Sequence, residues 1–145
     1  MKKVQYQIGI NCKPEKVFSI MLDEQYYREW TAVFNPTSHF KGSWKEGEVI
    51  LFLGEDQDGE EGGMHSLIEK IIPNEFLSIK HLGMLEKVKK TFFEEDYYEN
   101  YHFEDTSAGT LLKVEMDTED SWADYLDKTW PDALQKLKEI CEKQC

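Results

Sequence analysis

The C-terminal end of the sequence carries one long amphipathic stripe, and this stripe most constrains the fold. From Thr118 to about Lys143, apolar residues recur at spacings of three and four over roughly six helical turns. The stripe consists of Trp122, Leu126, Trp130, Ala133, Leu137 and Ile140. A helix of this length must bury its apolar face against another layer of secondary structure. Pro131 falls within the helical register and predicts a kink or a restart of the helix there.

The rest of the chain predicts an antiparallel sheet that covers this stripe. Polar and apolar residues alternate from Lys3 to Ile10, which is typical of a half-buried strand. Further strands are predicted at 49–53, 64–72, 76–82, 97–104 and 111–116. A short helix begins at Pro14, and a second one is predicted from Asp23 to Phe34. The segment Gly83–Phe93 is compatible with a loop, a helical turn or a flap.

These elements predict an α+β protein with a helix-grip fold. We expect a curved antiparallel sheet of about six to seven strands wrapped around the long C-terminal helix, with two short helices after the first strand. The gap between the long helix and the sheet is the natural place for a cavity. Because the 145 residues contain no linker or repeat, we predict a single domain spanning 1–145.

The charge balance excludes two classes of partner. The chain has 17 Lys and Arg against 29 Asp and Glu, a net charge of −12. Nucleic acids and anionic membranes require clustered basic residues, so we expect neither as a partner. No segment approaches the roughly 20 apolar residues of a membrane span, and the N-terminus lacks a continuous apolar signal segment. We therefore expect a soluble, cytoplasmic protein.

The cysteines predict neither a disulfide nor a metal site. The three cysteines are Cys12, Cys141 and Cys145, an odd number without tight spacing, which favours a reduced protein. Two thiols near the C-terminus are too few for a zinc site. The acidic stretch 56–59 resembles an EF-hand loop only in part, because the first and twelfth ligand positions lack carboxylates. We expect no metal and no cofactor.

A series of short sequence words runs in order along nearly the whole chain. They are Pro14–Phe18, Tyr27–Thr31, Phe40–Gly47, Pro73–Leu77 and Trp130–Leu134. In order and spacing they resemble the START/Bet v 1-like (SRPBCC) superfamily, in particular the bacterial branch similar to the C-terminal domain of the Hsp90 ATPase activator. The resemblance implies the helix-grip fold. Known relatives include carriers of apolar ligands, polyketide cyclases and aromatases, and Hsp90 co-chaperone domains, so no single function follows.

Aromatic side chains are the main candidates for lining the cavity. Aromatic residues make up 13% of the chain. The apolar candidates are Trp30, Phe34, Trp44, Phe52, Tyr101, Trp122, Leu126 and Trp130. An apolar lining with a few convergent polar groups is typical of a small-molecule site.

Two histidines and one glutamate are the polar candidates. His81 lies on an apolar face of its predicted strand, and His65 shares a face with Leu67 and Ile71; each is either a general acid/base, a polar anchor or an ordinary strand histidine. If Tyr101 faces inward, Glu99 does too, and a buried carboxylate must be paired, hydrogen-bonded or protonated. The opposite register of strand 97–104 would turn Glu99 outward, and the alternation does not decide between them.

Three functions follow as hypotheses. The leading one is a domain that binds an apolar or aromatic small molecule between the C-terminal helix and the sheet. The second is an enzyme of the cyclase or hydrolase type with Glu99 and His81 as its acid/base pair. No nucleophile motif is present in the sequence. The third, implied by the resemblance, is an interaction module for an Hsp90-type chaperone. A homodimer through an exposed strand edge or through Gly83–Phe93 also stays open.

Overall fold

Eight antiparallel strands form one curved sheet. The protein is described here over residues 1–145 by a computed structural model. The strands are β1 (Lys2–Ile10), β2 (His39–Gly42), β3 (Val49–Glu55), β4 (Glu61–Ile72), β5 (Phe76–Glu86), β6 (Lys89–Lys90), β7 (Tyr97–Thr106) and β8 (Gly109–Thr118). Their order across the sheet is β1-β8-β7-β5-β4-β3-β2, with β6 paired to β5. The predicted helix-grip architecture is confirmed.

Three helices accompany the sheet. They are α1 (Pro14–Leu22), α2 (Glu24–Trp30), which continues into a short 3-10 helix (Thr31–Val33), and α3 (Ala123–Gln144). The start of α2 is capped by Asp23, whose carboxylate accepts the backbone N–H groups of Gln25 and Tyr26, both at 3.1 Å. The long helix α3 lies over the concave face of the sheet and contacts β1, α1 and α2.

The sheet has more strands than the six to seven predicted from the sequence. The segment His39–Gly42, which is not among the predicted strands, pairs with β3. The segment Gly83–Phe93 is a hairpin, because β5 continues to Glu86 and returns as β6 after Lys87 and Val88, which both have positive φ. Strands of four and two residues contain too few alternating positions for a period of two to reveal them.

The long helix differs from its prediction at two points. It begins at Ala123 after a separate 3-10 helix (Asp120–Trp122), so Trp122 lies before α3 and is 57% exposed instead of buried in the stripe. Of the two alternatives predicted at Pro131, a kink or a restart, the restart does not occur, because the helix continues through this residue. Two polar contacts join it to β1: the Tyr6 hydroxyl donates to Asp127 at 2.7 Å, and the Lys138 ammonium donates to the carbonyl of Gly9 at 3.0 Å.

The expectation that the cysteines form no disulfide is wrong. Cys12 follows β1, Cys145 follows α3, and the two are joined, with their Cα atoms 5.8 Å apart. The fold brings these positions together although 133 residues separate them in sequence, which spacing alone does not reveal. Cys141 remains a free, buried thiol. None of the helices combines the length and apolarity that crossing a membrane requires.

Candidate ligand-binding site

A pocket of about 630 Å³ lies between α3 and the concave face of the sheet. Of its 27 lining residues, 19 are hydrophobic. Pockets that enclose drug-sized ligands have volumes of roughly 300–1,000 Å³ and mostly apolar walls. The pocket therefore has the size and the lining of a small-molecule site.

Aromatic rings from α2, the following loop and α3 form one wall of the pocket. The ring of Trp130 lies 5.2 Å from that of Phe34 in an edge-to-face arrangement and 6.0 Å from that of Trp30. The indole N–H groups of Trp30 and Trp44 donate to the carbonyls of Met21 and Leu22 at 3.1 and 3.0 Å. These carbonyls belong to the last turn of α1, where no helical N–H is left to bond them. Both indoles are therefore held in place by the end of α1.

A chain of hydrogen-bonded polar side chains crosses the strands that form the sheet side of this pocket. The Nδ1 atom of His81 lies 2.7 Å from the Ser66 hydroxyl oxygen, and its Nε2 atom lies 3.0 Å from a carboxylate oxygen of Glu99. The Tyr101 hydroxyl donates to the other oxygen of Glu99. We call Ser66, His81, Glu99 and Tyr101 the polar network.

Strand pairing explains how the polar network forms. Ser66 on β4 is directly opposite His81 on β5. Glu99 on β7 is opposite Ile79, two residues before His81, so the histidine and the carboxylate are diagonal neighbours on one face. Tyr101 follows Glu99 by two positions and shares its face. Three adjacent strands therefore bring these side chains to the concave side.

The protonation states in the polar network follow from burial and hydrogen bonding. Burial of Glu99 raises its pKa, but hydrogen bonds from His81 and Tyr101 and the attraction of His81 outweigh this effect and hold the pKa below its usual value. Burial, reinforced by the charge of Glu99, raises the pKa of Tyr101 well above its usual value. Glu99 is therefore a carboxylate at neutral pH, and Tyr101 is a neutral phenol that donates to it.

The mouth of the pocket combines exposed aromatic rings with carboxylates. Trp122 and Tyr125 are 57% and 41% exposed, with their rings edge to face at 5.8 Å. The Tyr97 hydroxyl donates to Glu119, and this bond is the largest of the effects that raise the pKa of Tyr97 to about 12. Asp117 lies at the end of β8 and accepts the backbone N–H of Tyr98 at 3.0 Å. The rim is thus acidic as well as aromatic.

The structure brings ten of the eleven candidate lining residues to this pocket. They are Trp30, Phe34, Trp44, Phe52, His81, Glu99, Tyr101, Trp122, Leu126 and Trp130. The alternation did not decide which residues of strand 97–104 face inward. In the structure, Glu99 and Tyr101 lie on the concave side.

His65 is the candidate that does not reach the pocket. Its Nε2 atom lies 2.8 Å from the carbonyl oxygen of Thr91, and its ring packs edge to face on Phe92 at 4.9 Å. The pairing of β4 with β5 is irregular between Ile68 and Lys70, where Glu69 has no partner on β5, and this extra residue shifts the alternation of β4. A regular alternation predicts that His65 and Ile71 share a face. In the structure they do not.

Several residues of the pocket lining and of the polar network were not among the sequence candidates. Tyr27 on α2 lines the pocket, and its ring lies 5.6 Å from that of Trp30. Met116 and Tyr97 line the pocket from β8 and β7. Ser66 has no signal in the sequence, because its role depends on the pairing of β4 with β5.

Comparisons with known proteins agree on the fold. The family model described as "Activator of Hsp90 ATPase homolog 1-like protein" matches residues 11–142. The solved structure of MLL2253 from Mesorhizobium loti is similar with a TM-score of 0.75 at 15% identity over 99% of each chain. CV1439 from Chromobacterium violaceum gives 0.76 at 14% identity over 97% of each chain. NE0264 from Nitrosomonas europaea gives 0.78 at 12% identity over 99% of this chain and 96% of that one. No curated protein matches the sequence.

Proposed function

The chain belongs to the activator of Hsp90 ATPase homolog 1-like family, and we propose that it binds one apolar or aromatic small molecule between α3 and the sheet. The observation that carries this proposal is the pocket of about 630 Å³ with its largely hydrophobic lining. Rings on one wall and a polar network on the other offer a flat apolar surface and a hydrogen-bonding anchor. This combination is common to sites that hold small organic ligands.

An acid/base enzyme is the second candidate, because His81 and Glu99 both line the same pocket and contact each other at 3.0 Å. Binding is favoured over catalysis because both ring nitrogens of His81 already have hydrogen-bond partners within the protein. A proton exchange with a substrate would require one of these bonds to break. Ser66 completes a Ser-His-Glu order, but it is fully buried and lies outside the pocket lining, so no substrate reaches its hydroxyl.

A chaperone partner and a homodimer stay predictions from the sequence. No contact or surface described above favours either of them. Binding of a small molecule is the function that the pocket supports best.

The first test of this proposal is native mass spectrometry of freshly purified protein, in which a co-purified small molecule is expected as added mass that organic solvent removes. The second is titration with the neutral fluorophore N-phenyl-1-naphthylamine, which should bind saturably with enhanced emission. Binding should be lost in Leu126→Trp, which fills the pocket from α3. It should be kept in Lys128→Trp, which adds the same side chain at an exposed position of that helix.

The proposal would be refuted by two outcomes. One is wild-type protein that neither carries a molecule nor binds the fluorophore. The other is a Leu126→Trp variant that is folded and binds the fluorophore as tightly as the Lys128→Trp variant does.

A further inference from the structure

Acidic side chains outnumber basic ones in the lining of the pocket. Three carboxylates line it, those of Glu99, Asp117 and Glu119, and no lysine or arginine is among the lining residues. The nearest basic groups are His81, which is bonded to Glu99, and Lys3, whose ammonium lies 3.9 Å from Asp117 at the rim. An entering ligand therefore meets carboxylate groups at the mouth and again at the inner end.

Glu99 is the inner carboxylate, and its side chain is only 17% exposed. His81 bonds one of its oxygens and Tyr101 the other. Because a carboxylate has about four lone-pair sites, each oxygen can still accept a hydrogen bond from a ligand. A ligand carboxylate at this position would face a like charge in a poorly solvated environment, where electrostatic repulsion is weakly screened.

The aromatic wall acts in the same direction. The faces of aromatic rings carry partial negative charge and attract cations, most strongly at tryptophan. Trp30 and Trp130 line the pocket together with Tyr27 and Phe34. A positively charged or hydrogen-bond-donating group is therefore favoured both by the rings and by the carboxylate.

From this arrangement we infer that the pocket selects an apolar or aromatic molecule whose polar end is an amine or a hydroxyl donor to Glu99, and that it rejects carboxylic acids. The inference rests on the proposed binding function and names the chemical class of the ligand. It separates amine- and hydroxyl-bearing aromatic compounds from fatty acids and aromatic acids, which would fit the same apolar volume.

A matched naphthalene series tests the inference. The compounds are 2-naphthylmethylamine, 2-naphthalenemethanol, 2-methylnaphthalene and 2-naphthoate, measured by displacement of N-phenyl-1-naphthylamine and by calorimetry at neutral pH. We expect the amine and the alcohol to bind about tenfold or more tightly than the acid. In Glu99→Gln this ratio should fall severalfold. It should stay unchanged in Glu104→Gln, the same substitution at an exposed position of β7.

Each outcome decides a different point. If 2-naphthoate binds as tightly as the amine and the alcohol while the fluorophore and 2-methylnaphthalene also bind, the ligand class is wrong and the proposed function stands. If none of these compounds binds, both fail. If wild type discriminates but a folded Glu99→Gln variant keeps the full ratio, Glu99 is not the selecting group and the inference is overturned. If Glu99→Gln does not fold, the ranking of the compounds by the wild type decides the proposal.

Discussion

Replacing Trp130 by alanine removes the ring that α3 contributes to the aromatic wall of the pocket. Trp130 is 5% exposed. Its ring lies 5.2–6.2 Å from those of Phe34, Trp30, Tyr6 and Tyr101, which belong to the loop after α2, to α2 itself, and to β1 and β7. Because one side chain joins four parts of the fold, its loss should destabilise the whole protein and not only the helix.

The size of the effect follows from the buried area. A buried tryptophan removes about 200 Å² from water, worth about 5 kcal/mol at about 25 cal/mol per Å², and core Phe or Trp to Ala changes cost about 3–5 kcal/mol. Because Trp130 borders a pocket, it lacks packed neighbours on one side, so about 3–4 kcal/mol is expected. For 145 residues the unfolding entropy is about 300 cal/mol/K, so the Tm should fall by roughly 10–13 °C.

Trp122→Ala is the matched control. Trp122 also lines the pocket, but it is 57% exposed and its only aromatic neighbour is Tyr125. We expect a loss of about 1 kcal/mol or less, a Tm change of about 3 °C. Urea denaturation and calorimetry of both variants measure the difference. Equal destabilisation of the two variants, or a Trp130→Ala loss below about 1 kcal/mol, would refute the reasoning that this cluster holds α3 on the sheet.

Three further predictions concern stability and reactivity. A Cβ at Gly83 would overlap the carbonyl oxygen of Thr91, whereas one at Gly9 has no atom within 4 Å. In urea denaturation, Gly83→Ala should therefore lower the unfolding free energy by about 1–3 kcal/mol and Gly9→Ala by about 0.5 kcal/mol or less. Equal losses in the two variants would contradict this packing. Burial raises the pKa of the Cys141 thiol to about 12. At pH 8, iodoacetamide should therefore modify this thiol far more slowly in native than in urea-unfolded protein, as measured by mass spectrometry. Rapid labelling of the native protein would count against the burial of Cys141. The folded-state pKa of Glu99 lies below its ordinary value of 4.5, so its stabilising effect is fully present above that pH and is lost as the pH falls through the folded-state pKa. The unfolding free energy of wild type should thus decrease more steeply on acidification than that of Glu99→Gln. Parallel pH profiles of the two proteins would disprove the lowered pKa of Glu99.

Local sequence patterns were sufficient for most of the secondary structure. The helix that begins at Pro14 and the strand that begins at Phe76 were predicted at their observed first residues. The apolar stripe of α3 was likewise correct at Trp130 and Leu137, which are both buried. Such patterns succeed because helical and extended backbones present side chains at fixed periods, so the polarity of each residue reports which face is buried.

Pairing between strands decided what the patterns left open. Glu99 could have faced either way from its own strand, and the pairing of β7 with β5 put it on the concave face beside His81. His65 was lost from the candidate site because irregular pairing between β4 and β5 changes the face of neighbouring residues, and a regular period cannot include such a shift.

The sequence by itself therefore determined the class of the fold, the long helix and the aromatic composition of the interior. Tertiary structure alone decided the composition of the polar network, the exposure of Trp122 and the meeting of Cys12 with Cys145. The physical reason is the range of the interactions. Periodicity expresses preferences within a few residues, whereas register, bulges and the joining of distant chain segments depend on contacts between residues far apart in sequence.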